Sequence, residues 1–547
     1  MERFIENYQG KEFDLLVIGG GITGATVAYE AASRGLTVAL VEKSDFGSAT
    51  SAATSKMIHG GLRYLSTYEF GLVRESLKER RVLTNIAPNF IQPASFLYTT
   101  YQKDHTSNFL LKIGMLLYEA FSFDKNRLWD KSKIMPYHQS ITPKQIIELF
   151  PTALKEGLKG GQLYYDCSSH SPERFTFAFI KTAVKHGASV ANYTKVDDFI
   201  IQKNKKSKTI KGVKVTDVLS GKKYHINSKL VINCSGPWAD ILLDKVKENI
   251  GSQELRRSEG IHFITKKLID KHIFSGLTTK GKHFFLVPYR NHTLVGTTDK
   301  EFVGSPDNYQ VTKKAIEELL ADVNQSFGSE EKIQYKDILY AYGGLRPLVE
   351  DQTEDVYHSS RKYEITGEKK NGIEGLITVE GGKFTTSRML AEKAINKSIR
   401  ILKAPKKKSI SEHHHLYACK INNFKEFVEN KQQQYSQFPP EHIEYLAKSY
   451  GNEIDEIFKL ASENETYSKA LNNDGENLAQ VLFAIRNEMA LSLSDILLRR
   501  TGIAQLGHPG KETLEKVARL VAKELKWDAN KLANEINQVE SLLQLPQ

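Results

Sequence analysis

Apolar and polar positions along this chain follow two different periods, and the changes between them mark its parts. Leu15, Leu16, Val17 and Ile18 form an unbroken apolar run that enters three adjacent glycines, Gly19 to Gly21, and then opens into Ala25, Val27, Ala28, Ala31 and Ala32. This predicts a buried strand, a tight turn and a helix start. A second apolar run over 36–41 ends at Glu42. Pro172 opens a stretch read as a helix to His186-Gly187, because proline suits the first helical turn, and 191–196 reads as the strand that follows. The runs 213–219 and 223–226 flank Ser220-Gly221 and predict a hairpin, and 230–234 reads as another apolar strand, ending at Ser235-Gly236. Residues 157–166 read as an exposed loop feeding a strand. Runs at 284–289 and 293–299 predict an antiparallel sheet within about 257–365. Residues 376–386 repeat the strand–glycine–helix pattern. Farther on, Leu514, Val517, Leu520, Val521 and Leu525 recur at helical spacing and predict a buried face in a mainly helical C-terminal region. No internal repeat is visible.

The glycines at 19, 21 and 24 have the G-x-G-x-x-G spacing. In such a turn the first glycine permits the bend, the second lets backbone amides approach a pyrophosphate, and the third lets helix and strand pack closely. The helix N-terminus adds unpaired N–H groups and a positive dipole end. Glu42, about 20 residues on, is placed to accept hydrogen bonds from an adenosine ribose. A nicotinamide enzyme continues into further alternating strands and helices. This chain instead runs through the small, hydroxyl-rich stretch 48–55 into His59-Gly60-Gly61-Leu62-Arg63-Tyr64. Such a stretch can pack against a flat ring and hydrogen-bond its polar edge, with the glycines allowing close approach.

With 547 residues there is room for two or three domains. The three cysteines are scattered, which speaks against a disulfide framework and for a reducing compartment. The first residues lack a signal-peptide layout. Residues 109–118 are apolar but carry Lys112, and fall short of the roughly 20 residues that span a bilayer. The expectation is a cytoplasmic or peripheral protein. The formal net charge of +11 favours anionic partners. The lysine runs at 203–208 and 406–408 read as solvated surface, and no nucleic-acid module accompanies them. His413-His414-His415 reads as an exposed loop, not a metal site.

Taken together, these blocks resemble the FAD-dependent glycerol-3-phosphate dehydrogenases, the respiratory type that passes electrons to quinone. The likeness runs over nearly the whole chain: the glycine turn, Ser55 to Leu65, Asn233 to Trp238, Gly296 to Asp299, Gly343 to Leu348, Gly381 to Thr386, Glu488 to Leu491 and Leu497 to Thr501. It departs at 167–174, where Glu173-Arg174 stand without the family's usual acidic pair, and at Glu259, where the family often has lysine. The implied fold is α/β: a Rossmann-like FAD-binding domain of the glutathione-reductase/D-amino-acid-oxidase type (about 1–100, 155–256 and 365–402), interleaved with an antiparallel substrate layer (about 101–154 and 257–364). A basic linker (403–410) and a helical C-terminal domain (411–547) follow.

The resemblance implies noncovalent FAD, with Gly19, Gly21 and Gly24 facing the pyrophosphate and Glu42 the ribose. Ser51, Ser55, Lys56 and His59 would lie along the ribityl and ring side, and Val196 would meet the adenine. Ser235, Gly236, Gly382 and Thr385 would close the remaining edges. The substrate, glycerol 3-phosphate, carries nearly two negative charges at neutral pH. Arg63 and Arg346 are the expected phosphate clamp, since a guanidinium fork makes bidentate bonds. Lys383 would support the substrate or the reduced flavin, Thr298 and Asp299 would orient hydroxyls, and Tyr64 would add a hydrogen bond. His262 and His59 both remain candidates for the base. Expected partners are glycerol 3-phosphate, a quinone in the membrane and an anionic lipid surface at the inner face of the cell membrane, with a homodimer left open and no nucleic acid. Two alternatives stand beside this: a glycerol-3-phosphate oxidase that reduces O₂ to hydrogen peroxide, against which the lack of a long extra insertion argues, and a catalytically silent FAD- or lipid-binding protein.

Overall fold

The run Leu15–Val17 is apolar without alternation because both faces of its strand are covered. Those three residues are wholly buried in β1 (Phe13–Ile18), as in a parallel sheet packed on both sides. The structure is a computed structural model that describes every residue except 103–106, 205–206, 247–254, 279–280, 329–331, 350–360, 368 and 370–371. Two lysines of the run at 203–208 and part of the expected substrate layer thus lie outside the described residues. β1 is central, pairing in parallel with β2 (Val38–Val41) on one side and with Lys223–Asn233 on the other, Leu15 opposite both Val38 and Leu230. Ser189–Ala191 extends the sheet beyond β2, and Leu376–Gly381 extends it beyond Lys223–Asn233. Tyr363–Gly367 closes that edge in antiparallel sense. The helices α1 (Ile22–Ser33), Pro172–Lys185 and Ser387–Leu402 share one core with the sheet.

The other face carries an antiparallel meander of Thr194–Lys203, Lys208–Asp217 and the first half of Lys223–Asn233. The last strand therefore serves two sheets. Its residues up to Asn227 pair with the meander, and Ser228 to Asn233 pair with β1. The expected hairpin is present. The expected strand at 191–196 is not one strand: Ala191 ends a parallel strand, Tyr193 turns the chain with φ +51, and Thr194 opens the meander.

A second sheet has ten strands among the described residues. At its centre His283–Tyr289 and His292–Gly296 form a hairpin, and Arg256–Lys266 pairs with both His292–Gly296 and Ile338–Leu348. It also takes in strands from segments expected in the dinucleotide half. Met57–Ile58, Ile91–Tyr101 and Leu158–Ser169 were placed with the dinucleotide half, but all three are strands of this second sheet. The reason is pairing: Ile91–Tyr101 and Leu158–Ser169 lie side by side from Ile91↔Ser169 to Tyr101↔Leu158. Nor are residues 157–166 an exposed loop. The strand starts at Leu158, and glycine is needed at 161 because a Cβ there would sit 2.3 Å from the Tyr98 carbonyl oxygen.

The C-terminal region is helical from Phe424 to Leu543, apart from its turns. Leu514, Val517, Leu520 and Val521 are buried as expected, and Leu525 packs at the edge of the same cluster. The 403–410 linker lies along α1: Arg34 Nε donates to the Lys407 carbonyl at 2.9 Å, and Ser409 Oγ to Glu30 at 2.9 Å. His413–His415 are turn residues, with His415 edge-on to Trp129, and among the described residues no group of three potential metal ligands converges.

Buried ion pairs fix this region to the parallel-sheet domain. Glu488, with no exposed surface, takes Arg174 at 2.9 Å and Lys181 at 3.1 Å. Burial opposes the Glu488 carboxylate, but Arg174 and Lys181 hold its pKa at about 2, against an ordinary 4.5. A depressed folded pKa contributes stability that is complete above the unfolded value and is lost as the pH falls through the folded one. Glu488→Gln is therefore expected to cost about 3–5 kcal/mol at neutral pH, the usual result of leaving buried cations without their partner. Urea melts should show the gap between parent and variant closing as the pH drops from about 4.5 towards about 2; a gap that does not change with pH would rule this out.

Candidate active site

The loops at the carboxyl ends of the parallel strands meet around a cavity of about 810 Å³, where open α/β sheets bind ligands. Gly19 follows β1 with φ +102, and a Cβ there would lie 2.6 Å from the Cys234 carbonyl oxygen. Gly24 does not line the cavity. It seats α1 on the turn, since its Cβ would come within 1.8 Å of the Gly19 oxygen. Gly21 caps α1 and faces the cavity, while Ser51 Oγ accepts from Ile22 N at 2.9 Å. Glu42 is held by the amides of Gly20 (2.7 Å) and Ser44 (2.9 Å); burial raises its pKa against their pull. Val196, Ser235, Gly236, Gly382 and Thr385 line the same cavity, as does Ser55.

Lys56 is a correction. It does not line this cavity. Its backbone is left-handed at φ +54, and its ammonium bonds Glu173 at 3.0 Å, with both side chains buried. Burial opposes the charge, but Glu173 keeps the lysine protonated.

A second cavity, of about 1210 Å³, adjoins the first. Ser55, Met57, His59, Tyr64, Arg346 and Arg361 line both. At this shared junction, among the described residues that line both, two carry guanidiniums and none a carboxylate, although Asp299 of the second cavity pairs with Arg361. Arg63, Thr298 and Asp299 line the second cavity only, and Lys383 the first only. Lys383 Nζ nevertheless lies 3.9 Å from the Tyr64 ring centre and donates to Ser76 Oγ at 3.0 Å, while the Arg63 guanidinium lies 4.7 Å from the same ring. Burial would raise the Tyr64 pKa, but Lys383 and Arg63 bring it below the ordinary value. Burial lowers the pKa of both Lys383 and Arg346.

Arg346 donates to Thr297 Oγ1 (2.7 Å) and to the Thr298 carbonyl (3.0 Å), which fixes its fork at the turn after His292–Gly296. Thr298 Oγ1 accepts from Ile261 N at 3.0 Å. Asp299 is committed to Arg361 at 2.5 Å and to the Ser258 hydroxyl. It thus serves as a counter-ion, beyond the hydroxyl-orienting part expected of it. The sequence reading missed Arg361. It is buried, and among the described residues its Nη1 has no hydrogen-bond partner. Its one sequence signal is a basic residue just before a short strand, too common a pattern to find it.

The two histidines separate. His262 is 1% exposed; its Nε2 is 2.7 Å from Ser55 Oγ, its ring stacks on Tyr342, and its Nδ1 has no partner. It reaches the first cavity only. Burial pushes its pKa well down. His59 stands at the junction, where burial takes its pKa to about 4, Asp166 pulling it up and Lys383 and Arg63 pushing it further down.

Residues 14–393 match the FAD dependent oxidoreductase family, and 413–532 match the C-terminal domain of alpha-glycerophosphate oxidase. The aerobic glycerol-3-phosphate dehydrogenase of Staphylococcus haemolyticus is 30% identical over 554 residues, covering 97% of this chain and 95% of that one. A probable mitochondrial glycerol-3-phosphate dehydrogenase of Dictyostelium discoideum is 32% identical, covering 97% of this chain and 84% of its own. The chain belongs to the FAD-dependent glycerol-3-phosphate dehydrogenase family. Among solved structures, the glycerol-3-phosphate dehydrogenase of Bacillus halodurans complexed with FAD superposes with a TM-score of 0.77 at 26% identity, covering 98% of this chain and 96% of that one.

The residues present fit the cofactor of this family. The Gly21 position leaves an open cradle at a helix N-terminus, Glu42 follows β2 directly, and the volume is in the range of a built ligand site. Gly21→Val tests the cradle. Its φ of −71 suits any residue, and the only close neighbour of a Cβ is the Ser51 hydroxyl at 3.1 Å. The variant is expected to melt cooperatively near the parent temperature but to purify with little flavin absorbance; a normal flavin-to-protein ratio would show that the cradle lies elsewhere.

Proposed function

We propose that this protein oxidises sn-glycerol 3-phosphate to dihydroxyacetone phosphate and passes the electrons to a membrane quinone. The observation that carries the reading is the cationic junction between the two cavities, with Arg346 and Arg361 in it and Lys383 and Arg63 beside it. FAD, when bound, supplies the two-electron acceptor that no side chain here provides. Holding a phosphate dianion is work for arginine forks, and the buried Arg361 Nη1, without a partner among the described residues, has a bond to give. His59 is neutral at pH 7 and stands where both cavities meet, so it is the residue to take the C2 hydroxyl proton. An anion bound beside it raises its basicity, since a nearby opposite charge favours the protonated form. His262, tied to Ser55 and stacked on Tyr342, positions Ser55.

Anaerobic glycerol 3-phosphate should bleach the purified holoenzyme, and glycerol or sarcosine should not. No bleaching after FAD supplementation would leave a silent flavin- or lipid-binding protein. Turnover with a soluble quinone analogue should exceed turnover with O₂; the reverse makes it an oxidase. Arg346→Ala should keep most of its FAD yet lose about 2–4 kcal/mol of transition-state stabilisation in kcat/KM, as expected for a charged hydrogen bond at a reacting centre. Near-parent efficiency would remove Arg346 from the clamp.

Among the described residues no helix is long and apolar enough to cross a membrane. The helix Asn108–Phe121 supports peripheral attachment instead. It buries Leu111, Met115 and Tyr118 and leaves Phe109 (74%), Leu110 (55%) and Leu116 (55%) exposed, with Ile113 and Leu117 beside them. An apolar helix face on a chain of net charge +11 suits the inner face of an anionic membrane. Phe109→Ser with Leu116→Ser should abolish flotation with anionic, quinone-containing vesicles while leaving turnover with a soluble quinone intact. Unchanged flotation would remove this helix as the contact.

A further inference from the structure

Two chain segments form the wall at the Glu42 end of the cofactor cavity, and neither stands alone. The first is the loop after β2. Its Glu42 and Gly47 both bond to Gly20, Glu42 through its carboxylate and Gly47 through an N–H to the Gly20 oxygen at 3.0 Å. The second is the turn 191–196, tied to the first by Thr194 N to the Glu42 oxygen (2.7 Å) and Tyr193 N to the Ser44 oxygen (2.9 Å). Behind both lies one stretch of the C-terminal domain. Asp45 is fully buried between Arg499 (2.7 Å) and Arg500 (2.7 Å). Burial works against that carboxylate, yet Arg500 and Arg499 keep it ionised. Asn192 Nδ2 donates to Asp45 (3.2 Å) and to the Met489 carbonyl (3.1 Å). Tyr193 donates its hydroxyl to Asp495 at 2.7 Å. Arg499 bridges the two anchors, with Nε on Asp45 and Nη2 on Asp495 at 2.6 Å.

None of Asp45, Tyr193, Asp495, Arg499 or Arg500 lines the cofactor cavity. We propose that the C-terminal helical domain is a positioning element for the cofactor: through Arg499, Arg500 and Asp495 it holds the two segments that contact the adenosine half of FAD, and so sets how tightly that half is bound. The two family matches fall on either side of this interface, 14–393 and 413–532, so the brace joins units that the sequence treats as separate. The proposal rests on FAD as cofactor and not on which substrate is oxidised.

The test uses the full-length protein with three variants. Arg499→Gln removes the bridge while Asp45 keeps Arg500. Arg499→Lys keeps the charge but cannot span Asp45 and Asp495. Tyr193→Phe removes a single bond and keeps the ring. FAD release is followed by the recovery of flavin fluorescence on dilution of the holoenzyme, and ADP and FMN are titrated into the stripped protein as probes of the two halves. Arg499→Gln should release FAD faster and bind ADP more weakly, each by about tenfold, the loss of roughly one charged hydrogen bond. FMN affinity should stay within about twofold of the parent, well under the cost of one such bond. Arg499→Lys and Tyr193→Phe should fall between the parent and Arg499→Gln. If Arg499→Gln does not fold, Tyr193→Phe decides by the same ADP-against-FMN contrast. Parent-like ADP binding in the folded variants, or equal weakening of ADP and FMN, overturns the proposal. A parent chain that binds neither FAD nor ADP removes the cofactor reading itself, and the proposal with it.

Discussion

A parallel strand cannot reach its neighbour by a short turn; the chain must cross over the sheet and come back. That constraint governs the layout of this molecule. β1 is flanked by Val38–Val41 and by Lys223–Asn233, and the sheet is completed by Ser189–Ala191 and Leu376–Gly381. The long excursions between these strands build the second sheet, so both cavities come from the same excursions. The chain leaves β2 at Glu42, passes Ser51 and Ser55 in the cofactor cavity and reaches His59, Arg63 and Tyr64 in the next one. A single stretch of backbone lines one and then the other.

The charges obey a similar division. Away from the junction they pair closely and are buried: Arg388 with Glu79 at 2.7 Å, Arg257 with Asp240 at 2.6 Å. Breaking such a pair strands a charge at a cost of several kcal/mol. The junction is different. Arg346 and Arg361 share Asp299, at 3.8 and 2.5 Å, and Lys383 rests on the Tyr64 ring and a serine hydroxyl. Burial depresses Lys383 and Arg346 there because the local negative charge is too small to offset desolvation. In the proposed reaction a bound phosphate would supply that charge.

The glycine turn, the two flanking strands and the helical C-terminal face were legible because each depends on a local pattern: three glycines at fixed spacing, unbroken apolar runs, a helical repeat. Most of the residues expected at the cofactor stand around the first cavity. What stayed hidden depends on pairing or direction. Ile91–Tyr101 and Leu158–Ser169 belong to the second sheet because they pair with each other, and nothing within either run says so. Lys56 sits among cavity residues in sequence, yet a left-handed backbone and the distant Glu173 turn it away. Gly24 looks like its neighbours Gly19 and Gly21 but serves packing alone. His59 and His262 were equivalent as letters; only the position of each ring relative to the two cavities distinguishes them.

The second cavity also has an apolar wall, which bears on where the electrons go in the proposed reaction. Leu110, Leu111, Ile113, Gly114 and Leu117 of the helix Asn108–Phe121 line it. The same helix exposes Phe109 and Leu116 on its outer side. In one helix, therefore, the wall of the reaction chamber and an apolar exterior are a single turn apart. A charged substrate gains nothing from such a wall, since aliphatic side chains offer it no hydrogen bonds. An apolar ring carried in lipid gains burial there. In the proposed reaction the phosphate belongs with Arg346 and Arg361, which line both cavities, and the quinone ring with the aliphatic side chains of the helix Asn108–Phe121, which line the second alone. If both reactants use this one chamber, the product must leave before the ring can approach, and the two half-reactions have to alternate.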